Sequence, residues 1–277
     1  MKHIFSTLPC MDYDARRLKE LCDKYGFFGV EVRTKPDNSF VHADFLNVIN
    51  VGSSICIRDV NEQQLEDAKT ILSQMENTNI LGMRVFLGNF RRRYSDPKIL
   101  FEHSEIVKSL RTMCDYTSKE IWVETHNEYS TGRVLKTLIE DVDRGNLKII
   151  WDIMHPIEDG ESPEETWELI GKYISHVHIK DGKKRDDATW HDYEYTPIGE
   201  GEMPIKEIIG ILNNGNYKGC LSLEWESLWR DELRKLDWSV DKILKSYMDY
   251  MWLMYEHTGE EKDRSFAEEN ECIRNQL

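Results

Sequence analysis

The chain has 277 residues, a length that fits one large domain, and 40% of them are hydrophobic, which is enough for a sizeable core. Its 36 lysines and arginines face 51 aspartates and glutamates, so the formal net charge is −15. Such an acidic surface repels polyphosphates, and we therefore expect neither nucleic acid nor an anionic membrane as a partner.

Strand-like and helix-like segments alternate along the whole chain. Eight segments are candidate strands, at 2–6, 27–33, 51–57, 80–87, 119–124, 147–152, 174–179 and 219–224. Most of them are short, apolar and without polar alternation, which indicates parallel strands covered on both faces. Apolar stripes at helical spacing, with capping residues at two starts, predict helices at 12–24, 39–48, 61–76, 97–115, 131–143, 163–172, 204–213 and 235–256. Eight β–α repeats favour an α/β fold, a single closed (β/α)8 TIM barrel with a C-terminal helical extension. An open, doubly wound sheet is the main alternative, but neither GxGxxG nor GxxxxGK[ST] follows any of the strands.

Two stretches depart from the repeat. Residues 181–202 form the longest break, rich in charged and aromatic side chains, and a loop of that length inside a compact domain is usually functional. Residues 258–277 are polar and follow the aromatic-rich last helix. We therefore expect one barrel domain over residues 1–257 and a polar C-terminal tail over residues 258–277.

Four apolar strands in the second half of the chain each end in a residue that can bind a metal ion. These residues are Glu124, Asp152, His178 and Glu224. Because active sites of such barrels lie at the C-terminal ends of the strands, the four side chains should meet at one face. Three carboxylates and an imidazole suit one divalent cation, Mn²⁺, Mg²⁺ or Co²⁺ with Zn²⁺ as a further option, and the cation would remove their mutual repulsion. The alternative is a set of unrelated polar residues at loop starts, each solvated or capping a helix.

Two histidines lie just beyond these strand ends. His155 follows Asp152 by three residues, which lets the loop bring its imidazole to the same mouth. There it can orient a substrate hydroxyl or supply a proton. His126, two residues past Glu124, is a similar candidate. For both, the alternative is a loop histidine at the surface.

Three further residues are candidates for substrate binding. Lys180, two residues after His178, can hold a substrate oxyanion or phosphate, or it can pair with a neighbouring acid. Arg33, at the end of the second strand, can bind a substrate anion or form a salt bridge on the barrel rim. Trp225, directly after Glu224, can pack against sugar carbons or be buried at the rim.

The six cysteines form no CxxC pair and are scattered through predicted helices and strands, so we expect reduced thiols, several of them core-filling. The N-terminus has no long apolar segment, and the chain has no run of about 18 apolar residues that could span a membrane. We therefore expect a cytoplasmic protein without a signal peptide.

Five sequence motifs lie at or near the strand ends: VETH at 123–126, WDIMHP at 151–156, HVHIKDG at 176–182, PIGEGEMP at 197–204 and LSLEWE at 221–226. With these motifs the chain resembles the xylose isomerase-like TIM-barrel superfamily, and more narrowly its sugar phosphate isomerase/epimerase group, which includes ketose 3-epimerases and enzymes of inositol catabolism. The resemblance runs from the opening STLPC and the GVEVR strand to the last barrel strand. It is specific for the superfamily and says little about the substrate.

The resemblance implies roles for individual residues. The four strand-end residues would bind one divalent metal ion, with Mn²⁺ as the first choice, and Glu124 and Glu224 would also be the two acid/base groups. The residue matching His155 contacts substrate oxygens in that group, and the glutamate of the GEG turn, Glu200 here, lies close to the site. Relatives are often dimers or tetramers, which leaves a homodimer or homotetramer open, with helix 235–256 as a candidate contact.

Together these residues predict a metal-dependent isomerase or epimerase of a small sugar or sugar phosphate. One carboxylate would remove the proton beside a carbonyl group to give an enediolate, which the cation stabilises. Return of a proton to the opposite face gives an epimer, and its return to the adjacent carbon gives an isomer. Two alternatives stay open: a metal-dependent dehydratase of an inositol-like or keto-sugar substrate, and a non-catalytic sugar-binding barrel.

Overall fold

The computed structural model describes residues 1–57, 61–88, 98–185 and 193–258, with residues 98–102 and 256–258 described in their backbone only. The polar tail predicted at 258–277 therefore lies outside the described residues, except for Thr258, which ends the last helix. Part of the predicted loop 181–202 also lies outside them.

Eight parallel strands form a closed barrel. They are β1 Lys2–Ser6, β2 Gly29–Arg33, β3 Val48–Cys56, β4 Gly82–Phe86, β5 Glu120–Glu124, β6 Leu147–Asp152, β7 Ile174–Ile179 and β10 Cys220–Leu223. Around the barrel the order is β1-β10-β7-β6-β5-β4-β3-β2, and β1 pairs with β10 in a register that joins Phe5 to Leu223. Two other strands, β8 Asp181–Lys184 and β9 Tyr193–Thr196, form an antiparallel pair within the predicted loop 181–202. The predicted (β/α)8 TIM barrel is thus confirmed.

Nine α-helices lie between and after the strands in the described part of the chain. They are α1 Ala15–Tyr25, α2 Glu62–Met75, α3 Lys98–Tyr116, α4 Gly132–Val142, α5 Met154–Glu158, α6 Pro163–Ile170, α7 Ile205–Asn214, α8 Asp231–Lys235 and α9 Val240–Thr258. Side chains cap several starts: those of Asp14, Asn61 and Thr131 accept hydrogen bonds from backbone N–H groups of α1, α2 and α4. Ser162 and Glu165 form a reciprocal capping box at the start of α6, which explains why this helix begins where the sequence predicts.

The helix predicted at 39–48 is wrong, because residues 34–47 contain no helix and β3 begins at Val48. Two apolar residues of this segment, Phe40 and Leu46, are buried all the same. The backbone of Asn47 joins β2, since its carbonyl oxygen accepts a hydrogen bond of 2.9 Å from the N–H group of Val30. The segment thus buries its apolar residues and pairs its backbone with the sheet. These tertiary contacts stabilise the extended conformation more than the local spacing favours a helix.

In the part of the chain that the structure describes, no helix is long and apolar enough to cross a membrane. The five cysteines of the described ranges form no disulfide bond with one another, and four of them are buried: Cys10, Cys22, Cys114 and Cys220. Burial of these four side chains agrees with the prediction that several cysteines fill the core.

An apolar layer inside the barrel forms a floor beneath the strand ends. Its residues are Ile4, Ile49, Trp122, Ile150 and Cys220. Side chains two residues apart on a strand point to the same face, so Glu124 stands above Trp122 on β5. In the same way Asp152 stands above Ile150 on β6. Gly82 makes room for the largest floor residue, because a Cβ atom there would lie 2.5 Å from Nε1 of Trp122.

A buried histidine joins β1 to the last helix, α9. The Nδ1 atom of His3 lies 2.8 Å from the hydroxyl oxygen of Tyr247, and its Nε2 atom lies 3.3 Å from that of Tyr255. Only 1% of His3 is exposed. Burial, with a smaller contribution from the positive N-terminus, lowers the pKa of His3 from 6.5 to about 3.

We expect this histidine to make the stability of the protein depend on pH. Its folded-state pKa lies below that of the unfolded chain, so the unfolded chain binds more protons between the two values, and stability falls as the pH drops below 6.5. From pH 7 to pH 5 the loss due to His3 should be about 2 kcal/mol. Urea unfolding at both pH values measures this loss, with His3→Gln as the comparison, because glutamine keeps a polar partner for Tyr247. An equally large loss in His3→Gln would contradict the assignment.

Candidate metal centre and substrate cavity

Four potential metal ligands lie together at the C-terminal ends of the barrel strands. They are Glu124 at the end of β5, Asp152 at the end of β6, His178 near the end of β7 and Glu224 directly after β10. One ligand atom of each lies within 4.8 Å of a ligand atom of every other. All four are buried, with at most 6% of any residue exposed. The structure thus brings together the four residues that the sequence singles out.

Their arrangement fits a divalent cation. Atoms that bind one cation at about 2.0–2.6 Å lie no more than roughly 5 Å apart. The four candidate ligand atoms meet this limit, since all lie within 4.8 Å of one another. Carboxylate oxygens with one imidazole nitrogen suit Mn²⁺, Mg²⁺ or Co²⁺, and also Zn²⁺. Three buried carboxylates so close together repel one another, and a dication would remove that unfavourable term.

A hydrogen-bonded glutamate sets the orientation of His178. The Nδ1 atom of this ring faces the cluster, 3.2 Å from Oε1 of Glu124 and 3.3 Å from Oε2 of Glu224. The Nε2 atom lies 2.9 Å from Oε2 of Glu31, an oxygen that also lies 3.0 Å from Nε2 of His176. Burial opposes protonation of His178, but the surrounding carboxylates outweigh it and raise its pKa well above the ordinary value, so without a metal ion both ring nitrogens carry a proton. Because Glu31 holds the proton on Nε2, a bound cation would displace the one on Nδ1 and meet a lone pair directed at the cluster. Sequence reasoning missed this role of Glu31, which lies in the middle of β2.

Glu31, His176 and His178 also satisfy the spacing of a metal site, since their ligand atoms lie within 4.8 Å of one another. Yet one oxygen of Glu31 lies at hydrogen-bond distance from both imidazoles. We therefore interpret this trio as a support for the orientation of His178 rather than as a second metal site.

Two buried cations contact the carboxylates. Arg84, in the middle of β4, donates a hydrogen bond of 2.9 Å from Nη1 to Oε2 of Glu124. The Nζ atom of Lys180 lies 2.5 Å from Oδ2 of Asp152 and 2.6 Å from Oε2 of Glu224. Lys180 therefore pairs with acids, the second of the two roles left open for it. Sequence reasoning missed Arg84, although a lone arginine within the apolar strand GMRVF is a signal that points to a buried charge.

The three carboxylates differ in how readily they ionise. Burial opposes ionisation of Glu124 and Glu224, but nearby cations, among them His178, outweigh it and lower the pKa of both groups. At Asp152 burial is the stronger influence and raises the pKa, although Lys180 acts in the opposite direction. Carboxylates with such different proton affinities can take different parts in acid/base chemistry.

The cluster opens onto a cavity of about 480 Å³. Five of the residues that the sequence singles out line this cavity: Glu124, Glu224, His126, His155 and Arg33. Arg84 and Phe86 from β4 also contribute to its wall. A small, partly polar substrate would fit into this space next to the carboxylates.

The two histidines of the cavity wall are held by their neighbours. The Nδ1 atom of His155 lies 2.8 Å from Oε2 of Glu158, and its Nε2 atom lies 3.4 Å from Oδ2 of Asp152. The ring of His126 meets that of His155 edge-on, with centroids 4.7 Å apart. Burial lowers the pKa of His126, which favours its neutral form. Both imidazoles therefore lie in fixed positions on the wall rather than free at the surface.

Two other predicted contacts lie away from this cavity. Trp225 is 4% exposed and stacks on Trp238, with ring centroids 5.6 Å apart. Glu200 lies exposed in the turn after β9. Neither belongs to the described residues that line the cavity. For Trp225, burial at the rim is the alternative that matches this position.

A single carboxylate organises the turn after β9. Oδ1 of Asp181 accepts hydrogen bonds from the N–H groups of Gly182 at 2.8 Å and Met203 at 3.0 Å. Oδ2 accepts from those of Gly199 at 2.9 Å and Gly201 at 3.0 Å. Gly199 has φ of +86°, a conformation that side chains disfavour. The motifs HVHIKDG and PIGEGEMP are therefore joined by one structural network.

The chain matches known proteins over much of its length. The family model for the xylose isomerase-like TIM barrel matches residues 5–243. The inosose dehydratase of Clostridium perfringens is 24% identical over 234 residues, which cover 76% of this chain and 72% of that protein. An uncharacterised protein of Methanocaldococcus jannaschii is 32% identical over 121 residues, which cover 43% of this chain and only 37% of that protein.

Solved structures show the same architecture. A D-psicose 3-epimerase in the presence of D-fructose has a TM-score of 0.71 at 18% identity, over 91% of this chain and 98% of the other. The IolI protein with a bound zinc atom has a TM-score of 0.70 at 15% identity, over 92% of this chain and 98% of the other. At these identities the structures establish the fold alone. Because the family model covers residues 5–243, the chain belongs to the xylose isomerase-like TIM-barrel family.

Proposed function

We propose that the protein is a divalent-metal-dependent isomerase or epimerase of a small sugar or sugar phosphate that works through an enediolate. One observation carries the proposal: four buried ligand residues converge within 4.8 Å of one another beside a cavity. Family membership supports it, since a D-psicose 3-epimerase and a 3-keto-D-glucoside 4-epimerase share the fold.

In this proposal Glu124, Asp152, His178 and Glu224 would hold the cation, which supplies Lewis-acid stabilisation to the oxygens of the substrate. Glu31 positions His178 through the hydrogen bond to its Nε2 atom. The carboxylates and the two cations beside them, Arg84 and Lys180, are almost wholly buried from bulk solvent. Charges in such a buried site act more strongly on a substrate than they would in water.

Glu124 and Glu224 are the groups that would move the proton. Both line the cavity, and β6 and β7 separate their strands in the barrel, so they can flank a substrate from two sides. One carboxylate accepts the proton from the carbon beside the carbonyl group, which leaves an enediolate. The other, which must first take up a proton from water because its pKa is lowered, returns that proton to the opposite face to give the epimer. If the proton instead returns to the neighbouring carbon, and a second proton moves between the two oxygens of the enediolate, the product is the isomer. Proton exchange with water then restores both carboxyl groups.

A dehydratase is the second candidate, because the match to the inosose dehydratase extends over 76% of this chain. Dehydration begins with the same proton removal, and a hydroxyl group on the next carbon then takes up a proton and leaves as water. His155, which lies 2.8 Å from Glu158 and lines the cavity, is our candidate for that proton donor. Loss of one water molecule from the substrate, measured by mass spectrometry, distinguishes this reaction from isomerisation.

Replacing either glutamate with glutamine should strongly slow proton exchange. We expect Glu124→Gln and Glu224→Gln to slow exchange of the substrate C–H proton with deuterated water by roughly 100- to 10,000-fold, because each removes an acid/base group. Proton NMR on a panel of ketohexoses and their phosphates measures the rate. Glu20→Gln changes an exposed glutamate on α1 and, as the matched control, should exchange like the wild type. Exchange at the wild-type rate in either test variant, with an intact fold by circular dichroism, would refute these roles.

Glu31→Gln should weaken metal binding although it removes no ligand. Glutamine cannot accept a hydrogen bond from the imidazole as strongly as a carboxylate, so His178 loses its fixed orientation and part of its basicity. We expect the dissociation constant for Mn²⁺ to rise by roughly 10- to 100-fold, measured by electron paramagnetic resonance of free Mn²⁺. Glu20→Gln again serves as the control. Unchanged affinity in Glu31→Gln would show that the glutamate does not position the ligand, and a wild-type protein that binds no Mn²⁺ would favour the non-catalytic barrel.

A further inference from the structure

A second cavity lies beside the first. Its volume is about 460 Å³, and the two cavities share Arg33, Ser54 and Trp229. The shared residues mark a common boundary between the two spaces. A substrate longer than the reacting carbonyl group and its neighbours would have to pass Arg33 to reach the second cavity from the carboxylates of the first.

Arg33 has no carboxylate partner among the described residues. Its Nη1 atom donates a hydrogen bond of 3.3 Å to the carbonyl oxygen of Ser53, and its Nη2 atom donates one of 3.0 Å to Oγ of Ser54. A Cβ atom at Gly52 would lie 3.1 Å from Cδ of Arg33, so the missing side chain leaves space for the arginine stem. These neutral contacts fix the guanidinium group, and no carboxylate of the described ranges forms an ion pair with it.

The other arginines that line the first cavity are paired. Arg84 contacts Glu124 at 2.9 Å, and Arg230 contacts Glu226 at 3.4 Å. In a chain with 51 acidic residues against 36 basic ones, an arginine held only by neutral groups on a cavity wall is unusual. Its charge is available to a ligand.

A second cation lies on the wall of the second cavity. Lys35 is exposed there, and within the described ranges it forms no ion pair. The hydroxyl group of Ser54 adds a polar group to the wall. Asp67, an acid in the same wall, accepts hydrogen bonds from Nδ2 of Asn38 at 2.9 Å and from Nε2 of Gln63 at 3.0 Å. These neutral amides leave its negative charge in place, so Arg33 and Lys35 together exceed it by one positive charge.

We propose that the second cavity binds an anionic group of the substrate, a phosphate or a carboxylate, through Arg33 and Lys35. The inference rests on the proposed function, because it takes the carbonyl end of the same molecule to lie against the carboxylates of the first cavity. A guanidinium group donates to two oxygens of a phosphate or carboxylate at once. Two local cations are needed, since a net charge of −15 otherwise repels an anion. The substrate class is therefore a sugar phosphate or a sugar acid rather than a neutral sugar.

Binding of inorganic phosphate to the metal-loaded protein tests this site without any turnover. By isothermal titration calorimetry we expect Arg33→Gln to raise the dissociation constant at least tenfold, which corresponds to about 1.4 kcal/mol. Arg33→Lys keeps the charge but loses the two-pronged contact, so its effect should be smaller. Arg133→Gln removes the same charge from an exposed position on α4 that lines neither cavity, and it should bind phosphate like the wild type. Equal affinity in Arg33→Gln and Arg133→Gln would overturn the proposal, because phosphate would then bind elsewhere, for instance to the metal ion.

Turnover separates the two proposals from each other. Deuterium exchange is compared for ketohexoses, ketohexose phosphates and ketohexuronates, and the preferred charged group distinguishes a phosphate from a carboxylate. Arg33→Gln should raise KM for the anionic substrate at least tenfold and leave that for the neutral sugar unchanged. Loss of phosphate binding in Arg33→Gln without exchange of any sugar would support the anion site and contradict the proposed function. If sugars exchange but Arg33→Gln binds phosphate as tightly as the wild type, the proposed function is supported and the anion site is contradicted.

Discussion

Three carboxylates are buried above an apolar floor, and their need for positively charged or hydrogen-bonding partners determines how the open end of this barrel is arranged. None of Glu124, Asp152 and Glu224 is more than 6% exposed, so each needs a cation or a hydrogen-bond donor as a partner. Arg84 in β4 and Lys180, the residue directly after β7, supply part of that positive charge. Packed hydrocarbon of the same volume would stabilise the fold at least as well, so a cluster of this kind indicates chemistry rather than stability.

The two-residue repeat of the strands links the floor, the cluster and its supports. Trp122 packs in the floor, and Glu124 follows on the same face of β5. On β7, His176 stacks on Trp122 at a centroid distance of 5.2 Å, and His178 follows at the level of the carboxylates. Glu31 bridges these two imidazoles from β2 on another part of the barrel. The alternation of side chains along each strand thus sets whether a residue lies in the floor or in the cluster above it. Closure of the barrel then brings residues of the same height on different strands into contact.

One site of this kind is compatible with both reactions that the related proteins suggest. Epimerisation and dehydration of a keto sugar share their first step, which is removal of a proton beside a carbonyl group. They differ in the second step: a proton returns to carbon in one case, and a hydroxyl group leaves in the other. The groups next to the cluster, above all His155 with Glu158 and the anion-binding wall around Arg33, are therefore the places where activity and substrate choice would be decided.

The sequence by itself determined the barrel and its four strand-end residues, because a strand covered on both faces leaves a continuous apolar signature whose last residue can be read directly. Tertiary structure alone decided the partners: Glu31 and His178 are separated by 147 residues, and Arg84 and Glu124 by 40. Such contacts depend on strand register and barrel closure, which local periodicity does not encode. The same reason applies to residues 34–47, whose spacing predicts a helix but whose backbone joins the sheet.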